Sequence, residues 1–291
     1  MGNELAAFSA ELAAITARAG DAVAAVHARP RFPSSGVRWH PGVIVTAEHT
    51  VRREEEITVT LPGGKTVPAT LAGTDPGTDI AVLKAEWDGP APANAGDPAA
   101  GNLALAIGRS PDSGVNATLG IVSAISGSWR TWRGGRLDRY IRLDLTLYPG
   151  SSGGLVVDVA GEAIGMATSV LSRIAGLAIP ASTIDRVVDE ILLRGHVARG
   201  YLGVGLQPVE LPDHRKGLIV LSVGEDGPAA KAGVLVGDIL VSLDGAALAE
   251  PEDVQRVLEA RAIGQSVEAA AVRGGELRKF AVAIGERPRR S

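Results

Sequence analysis

The sequence predicts a mostly β chain in two parts: antiparallel barrels or a sandwich, followed by a small α+β module. Three observations carry this. Between residues 22 and 180, short apolar runs of β type are bounded by turn signals such as PGG, DPG and RGG, and helical periodicity is nearly absent. Thirty-seven glycines and seventeen prolines suit a turn-rich β protein better than a helical bundle. From Tyr201 onward strand-like runs surround two helical stretches, and the 291 residues suit about two domains at roughly 100–200 residues each.

Taken in order, Leu5, Phe8, Leu12 and Ile15 recur at helical spacing, and Gly20 ends the run. Residues 1–21 are therefore expected to be a helical segment packed on the domain that follows. The β runs are AVAAVH from Ala22, GVIVTA from Gly42, ITVTL from Ile57, DIAVLK from Asp79, LALAI from Leu103 and TLGIVSAI from Thr118; IRLDLTL, LVVDV, AIGMATSV and GLAIP come after them. A helix is then expected with Ser182 as its cap, Ile184, Val187, Val188, Ile191 and Leu192 on one face, and Gly195 past its end. It closes a first domain over residues 22–197, and HVARG reads as a linker. Residues 200–287 form the second domain, where Pro251 starts a helix that turns Val254, Val257 and Leu258 inward.

Hydrophobic residues make up 45% of the chain and aromatics only 3%, so Ala, Val, Leu and Ile must fill the cores. A net charge of −4 gives no broad attraction to nucleic acid. Without cysteine there is neither a disulfide framework nor thiol chemistry. The N-terminus has acidic residues where a signal peptide needs a basic segment, and no run approaches the roughly 18 apolar residues of a membrane span. The expectation is a cytoplasmic protein as written, or a periplasmic or secreted one if a leader was removed.

Chemistry concentrates in LYPGSSGG, Leu147 to Gly154, set between two β-type runs. Gly150, Gly153 and Gly154 permit a sharp turn that presents Ser152 as a nucleophile, with the N–H groups of Gly150 and Ser152 as oxyanion donors. The same octapeptide also suits a Gly/Ser hairpin without chemistry, so the rest of the chain must decide. GSSGG fits the nucleophile elbow of α/β-hydrolases too, but strand rather than helix follows, and only His196 and His214 lie downstream. Chain order favours His, then Asp, then Ser. Of the upstream histidines, His49 directly follows the strand GVIVTA and can face a cleft, whereas His40 between Trp39 and Pro41 suggests a surface turn and His27 packs beside the first strand. The orienting carboxylate should start a buried strand, as Asp79 does in DIAVLK; Asp75 in TDPG reads as a turn residue, and Asp144 is the weaker candidate.

TAEHTV, GTDIAVLK and PGSSGG, with LALAIGRS and TLGIVSAI between them, resemble the HtrA/DegP family of trypsin-fold serine proteases. YLGVGLQPV and GPAAKAGVLVGDILVSLDG resemble that family's PDZ domain, so the similarity runs from about Ser34 to Gly285. The resemblance implies a chymotrypsin-like double β-barrel followed by an α+β PDZ domain, with His49 as base, Asp79 as its orienter and Ser152 as nucleophile. It implies ATP-independent cleavage of unfolded proteins, often by a homotrimer. Ser151 and Tyr148 stand where the family has asparagines, and the N-terminal segment has one aromatic, Phe8, where family trimers use several.

In such a fold Thr146, Leu147, Thr168, Ser169 and Val170 would line the specificity pocket. No acid sits at Thr146, so a small or medium aliphatic P1 residue is expected. The PDZ domain would bind C-terminal peptides by strand addition, with the carboxylate on the N–H groups of Leu202, Gly203 and Val204, and with Leu202, Val204, Val254 and Leu258 lining the pocket. The loop Ser126 to Arg139, with Trp129, Trp132 and four arginines, is either the family's sensor loop or a solvated loop. No cofactor is expected, and no His/Asp cluster has metal-ligand spacing. The competing functions are a chaperone or PDZ scaffold on a protease fold, and an esterase.

Overall fold

The computed structural model describes residues 2–212 and 214–287, which divide into two units between Val197 and Ala198. In the first unit, α1 (Gly2–Gly20) leads into β1 (Val23–His27), β2 (Ser34–His40), β3 (Val43–Ala47), β4 (Ile57–Thr60), β5 (Thr66–Asp75) and β6 (Ile80–Ala85). These six close a barrel in the order β1-β2-β3-β6-β5-β4. Next come β7 (Ala93–Ala95), β8 (Leu103–Ser110), β9 (Gly114–Ser126), a two-stranded hairpin of β10 (Trp129–Arg130) and β11 (Arg136–Leu137), then β12 (Tyr140–Asp144), β13 (Leu155–Val157), β14 (Glu162–Thr168) and β15 (Gly176–Pro180). The sheet β13-β8-β9-β12-β15-β14-β7 closes on itself because β13 also pairs with β14. The helix α2 (Ala181–Arg194) follows.

Two faces of each central strand are buried, which is why these strands read as continuous apolar runs rather than alternating ones. On β3, Ile44 points into the first barrel while Val43 and Val45 join a separate cluster. On β8, Ala104 and Ala106 fill the second barrel, and Leu105 and Ile107 join the same shared cluster. Ile184, Val187, Val188 and Ile191 of α2 pack there as well, as does Ile15 of α1. The shared layer fixes one barrel against the other, and the seam between them carries the site.

Some expectations change. Ser182 lies inside α2 and does not cap it; Pro180 holds the cap position without a side-chain bond, while Gly195 at φ 78 ends the helix with its N–H on the Ile191 carbonyl. His40 ends a full strand, β2, and Trp39 beside it is buried, with its indole N–H on Asp185 at 2.6 Å. The run IRLDLTL stops being strand at Asp144. His196, placed in the linker, makes a parallel bridge to Thr74.

The second unit contains β16 (Gly200–Tyr201), β17 (Val204–Glu210), β18 (Lys216–Val223), α3 (Pro228–Lys231), β19 (Ile239–Leu243), β20 (Ala246–Ala247), α4 (Pro251–Glu259), β21 (Ser266–Arg273), β22 (Glu276–Ala283) and β23 (Gly285–Glu286). Its main sheet runs β17-β18-β19-β21-β22, which leaves β17 as an edge strand. Val254 and Leu258 of α4 bury themselves in a core with Leu202, Leu218, Leu240 and Val282.

Candidate active site

Strand register brings the first two candidates together. The β3–β6 pairing sets Ala47 opposite Ile80, so the next residues out, Glu48 and Asp79, meet at the strand ends, and the Glu48 N–H donates to the Asp79 carbonyl at 3.1 Å. One residue on, a single 3₁₀ turn (Glu48–Thr50) carries His49. Asp79 adopts φ 61, a left-handed conformation that Asp tolerates better than most residues. Its carboxylate is fully buried and accepts the His49 backbone N–H at 2.9 Å. His49 Nδ1 lies 3.0 and 2.9 Å from its two oxygens. A carboxylate can only accept, so Nδ1 carries the hydrogen, which leaves Nε2 with a free lone pair in the neutral imidazole. The Thr168 hydroxyl donates to Asp79 Oδ2 at 2.5 Å.

The serine turn enters from the second barrel. Leu155 of β13 pairs with Met166 of β14, and the ladder continues outward through Gly153 N–H to the Ala167 carbonyl at 2.9 Å. That places Ser152 beside Thr168 and Ser169 at the end of β14. Its hydroxyl lies 3.2 Å from Ser169 Oγ, and among the described residues no hydrogen bond joins it to His49. From the other side the turn abuts the strand leading to His49. A Cβ on Gly153 would collide with the Ser35 carbonyl and come within 2.6 Å of Thr46 Oγ1 and 2.9 Å of Ala47 N. Gly153 also has φ 85 and Gly150 φ 94, the region glycine enters freely. Ser151 donates its N–H to the Tyr148 carbonyl, while the N–H groups of Gly150 and Ser152 donate to nothing among the described residues.

Of the expected pocket residues, Thr146 is exposed and Leu147 half-buried against Gly176. Thr168 is buried and directs its hydroxyl at Asp79; Ser169 and Val170 follow it at the rim. Asp144 is exposed, and Asp75 accepts from Gly77 N–H and the Thr78 hydroxyl as a turn residue. His27 bonds Thr60 Oγ1 at 2.9 Å, and burial, helped by nearby Arg53, holds its imidazole below the ordinary range.

The structure gives partners to the loop that the sequence left open between a sensor loop and a solvated loop. Arg133, at the tip of the β10–β11 hairpin, pairs with Glu48 at 3.0 Å and lies 3.7 Å from Asp79. In the same tip the Thr131 hydroxyl holds the Gly77 carbonyl at 2.6 Å, and the Trp132 indole N–H reaches the Val170 carbonyl at 3.2 Å. This segment therefore braces the Asp79 turn and is not a solvated loop. Nothing in its local sequence marks the contact, which depends on tertiary placement alone.

In the second unit Leu202, Val254 and Leu258 are buried, and Val204 packs half-exposed against the same core. Leu202 and Gly203 spend their carbonyls on Ala229 and Gly224 N–H groups, while their own N–H groups donate to nothing among the described residues.

Comparison with known proteins identifies the family. The trypsin-like peptidase domain family matches residues 34–166, and the PDZ domain family matches residues 200–284. A probable periplasmic serine endoprotease, DegP-like, of Brucella suis is 35% identical over 284 residues, covering 90% of this chain and 54% of that protein. A protein of the same description from Halomonas elongata is 34% identical, over 85% of this chain and 55% of its own length. The chain thus spans about half the length of these curated relatives. Among solved structures, the HtrA-type protease AlgW with tripeptide superposes with a TM-score of 0.74 at 31% identity, covering 96% of this chain and 98% of that one. The serine endoprotease from Yersinia pestis gives a TM-score of 0.77 at 29% identity, over 94% and 97% of the two chains. With a double barrel, a PDZ-type module and these relatives, the chain belongs to the HtrA/DegP family of trypsin-like serine proteases.

Proposed function

We propose that this chain is a serine endopeptidase that cleaves unfolded polypeptides through His49, Asp79 and Ser152, and that residues 22–197 and 200–287 are its protease and PDZ domains. The observation that carries the reading is the two-pronged approach of His49 Nδ1 to a fully buried carboxylate, with Ser152 next to a pair of undonated N–H groups. Asp79 fixes the imidazole tautomer and stabilises the imidazolium that forms when Nε2 takes the Ser152 proton. The Ser152 oxygen adds to the scissile carbonyl, whose developing charge falls on the N–H groups of Gly150 and Ser152. The imidazolium then returns its proton to the leaving amine. An acyl-enzyme remains for water to hydrolyse. Ser152 Oγ lies 3.2 Å from Ser169 Oγ, and productive attack needs its hydroxyl hydrogen turned to His49 Nε2.

Thr146, Leu147, Ser169 and Val170 line the proposed pocket, and the absence of an acid there favours Val, Ala or Leu before the scissile bond. The unpaired edge of β17, with the adjacent N–H groups of Leu202 and Gly203, supports binding of C-terminal peptides by strand addition. The curated relatives are named periplasmic, which supports an extracytoplasmic setting over the cytoplasmic expectation. Among the described residues no helix is long and apolar enough to cross a membrane. A homotrimer remains part of the proposal, on family resemblance. A fluorophosphonate probe with casein digestion tests the central reading: labelling and digestion present in the wild type and lost in Ser152→Ala support it. Absence of both in the wild type supports the chaperone or scaffold alternative.

A further inference from the structure

The two N–H groups assigned to the oxyanion belong to a loop of the second barrel, yet one residue that holds that loop comes from the first. Ser35 on β2 is fully buried. Its hydroxyl donates to the Gly150 carbonyl at 2.8 Å and accepts the Arg109 N–H at 3.0 Å. Its own N–H donates to the Ser152 carbonyl at 3.2 Å, and its carbonyl accepts the Thr46 hydroxyl at 2.6 Å. One residue therefore pins the carbonyls of both proposed donor residues. The peptide unit between Gly150 and Ser151 is fixed at both ends, because Ser151 N–H is held by Tyr148. Gly150 itself is at φ 94, in the region that glycine enters freely.

We infer that Ser35 is a positioning residue for catalysis, a template in the first barrel that sets the direction of the Gly150 and Ser152 N–H groups. This rests on the reading of Ser152 as the nucleophile. Because the contact aligns donors for charge that develops only in the transition state, its loss lowers kcat and leaves ground-state binding in place. A residue that merely held the fold would lower stability, or KM and kcat together.

The test uses the full chain with a fluorogenic casein-derived peptide and a boronate peptide ending in boroVal, whose tetrahedral adduct places an oxygen in the oxyanion site. In Ser35→Ala, kcat should fall by about tenfold to a hundredfold, less than the ~10²–10³ for deleting a donor outright, and boronate affinity should fall in parallel at unchanged KM. Ser35→Cys, which keeps the shape with a weak donor, should fall between wild type and Ser35→Ala. Tryptophan fluorescence on urea unfolding checks that both variants fold. A folded Ser35→Ala with wild-type kcat and boronate affinity overturns the inference, as does a loss confined to KM. If Ser152→Ala keeps hydrolysing the peptide, the nucleophile assignment has failed instead, a result that is read independently of Ser35.

Discussion

Adding one methyl group at Gly153 tests how the serine turn is seated. The residue has φ 85, and a Cβ there would run into the Ser35 carbonyl, Thr46 Oγ1 and Ala47 N. The left-handed conformation costs an alanine about 1–2 kcal/mol. Overpacking against groups that cannot swing away adds about 1–3 kcal/mol, since two of the three atoms are backbone. Gly153→Ala should thus lose about 2–5 kcal/mol, which moves a urea midpoint down by roughly 1–2.5 M at a slope of about 2 kcal/mol/M. Gly64→Ala is the matched control, because Gly64 has φ 87 with nothing within 4 Å of its would-be Cβ. It should show the conformational part alone. Trp39, Trp87, Trp129 and Trp132 all precede residue 197, so fluorescence follows the first unit specifically. Equal midpoints for the two variants, with undiminished fluorophosphonate labelling of Gly153→Ala, would refute the close approach of the turn to the strand that leads to His49.

Other consequences can be measured directly. Asp79→Asn keeps a residue that tolerates φ 61 but presents an N–H where Nδ1–H must donate, so labelling should slow by about 10⁴-fold with little change in fluorescence. Cleavage-site profiling on denatured casein should show aliphatic P1 residues, and a dominant Lys or Arg would contradict the pocket assignment. In the second unit Arg273 grips the buried Asp238 carboxylate at 2.6 and 2.7 Å, and this hydrogen bonding holds the carboxyl below its ordinary range. A depressed folded-state value means the contribution is complete above the unfolded value of about 3.9 and disappears as pH falls through the lower folded one. Hydrogen-exchange protection in β18, taken relative to the intrinsic rate at each pH, should accordingly fall below about pH 4, and Asp238→Asn should cost on the order of 2 kcal/mol at neutral pH. Unchanged exchange in that variant would mean the pair holds nothing.

Where the sequence was legible, a single side-chain period explains it. α2 shows one apolar face ending at Gly195, and the strands carrying His49 and Asp79 are apolar on both sides, so their chemistry-bearing ends stood out. The strands β2 (SSGVRWH) and β5 (TVPATLAGTD) are not legible as strands, because serine, proline and glycine interrupt them and the buried serines of β2 are satisfied by partners far along the chain. Ser35 is the clearest example: its bonds reach residues 109, 150 and 152, and no local pattern reports such reach. The aim of Thr168 is equally hidden in the sequence. Only the folded register shows its hydroxyl aimed at Asp79.

The span of the Ser35–Gly150 bond, 115 residues, has a bearing on how the molecule is made. A nascent chain that has delivered the first barrel holds an imidazole and its carboxylate but no hydroxyl for them to activate, and its buried Ser35 has nothing yet to grip. On the proposed reading, hydrolysis needs both barrels, because the imidazole and the hydroxyl come from different ones. On that reading, a chain cut short before residue 150 would therefore be unable to hydrolyse anything.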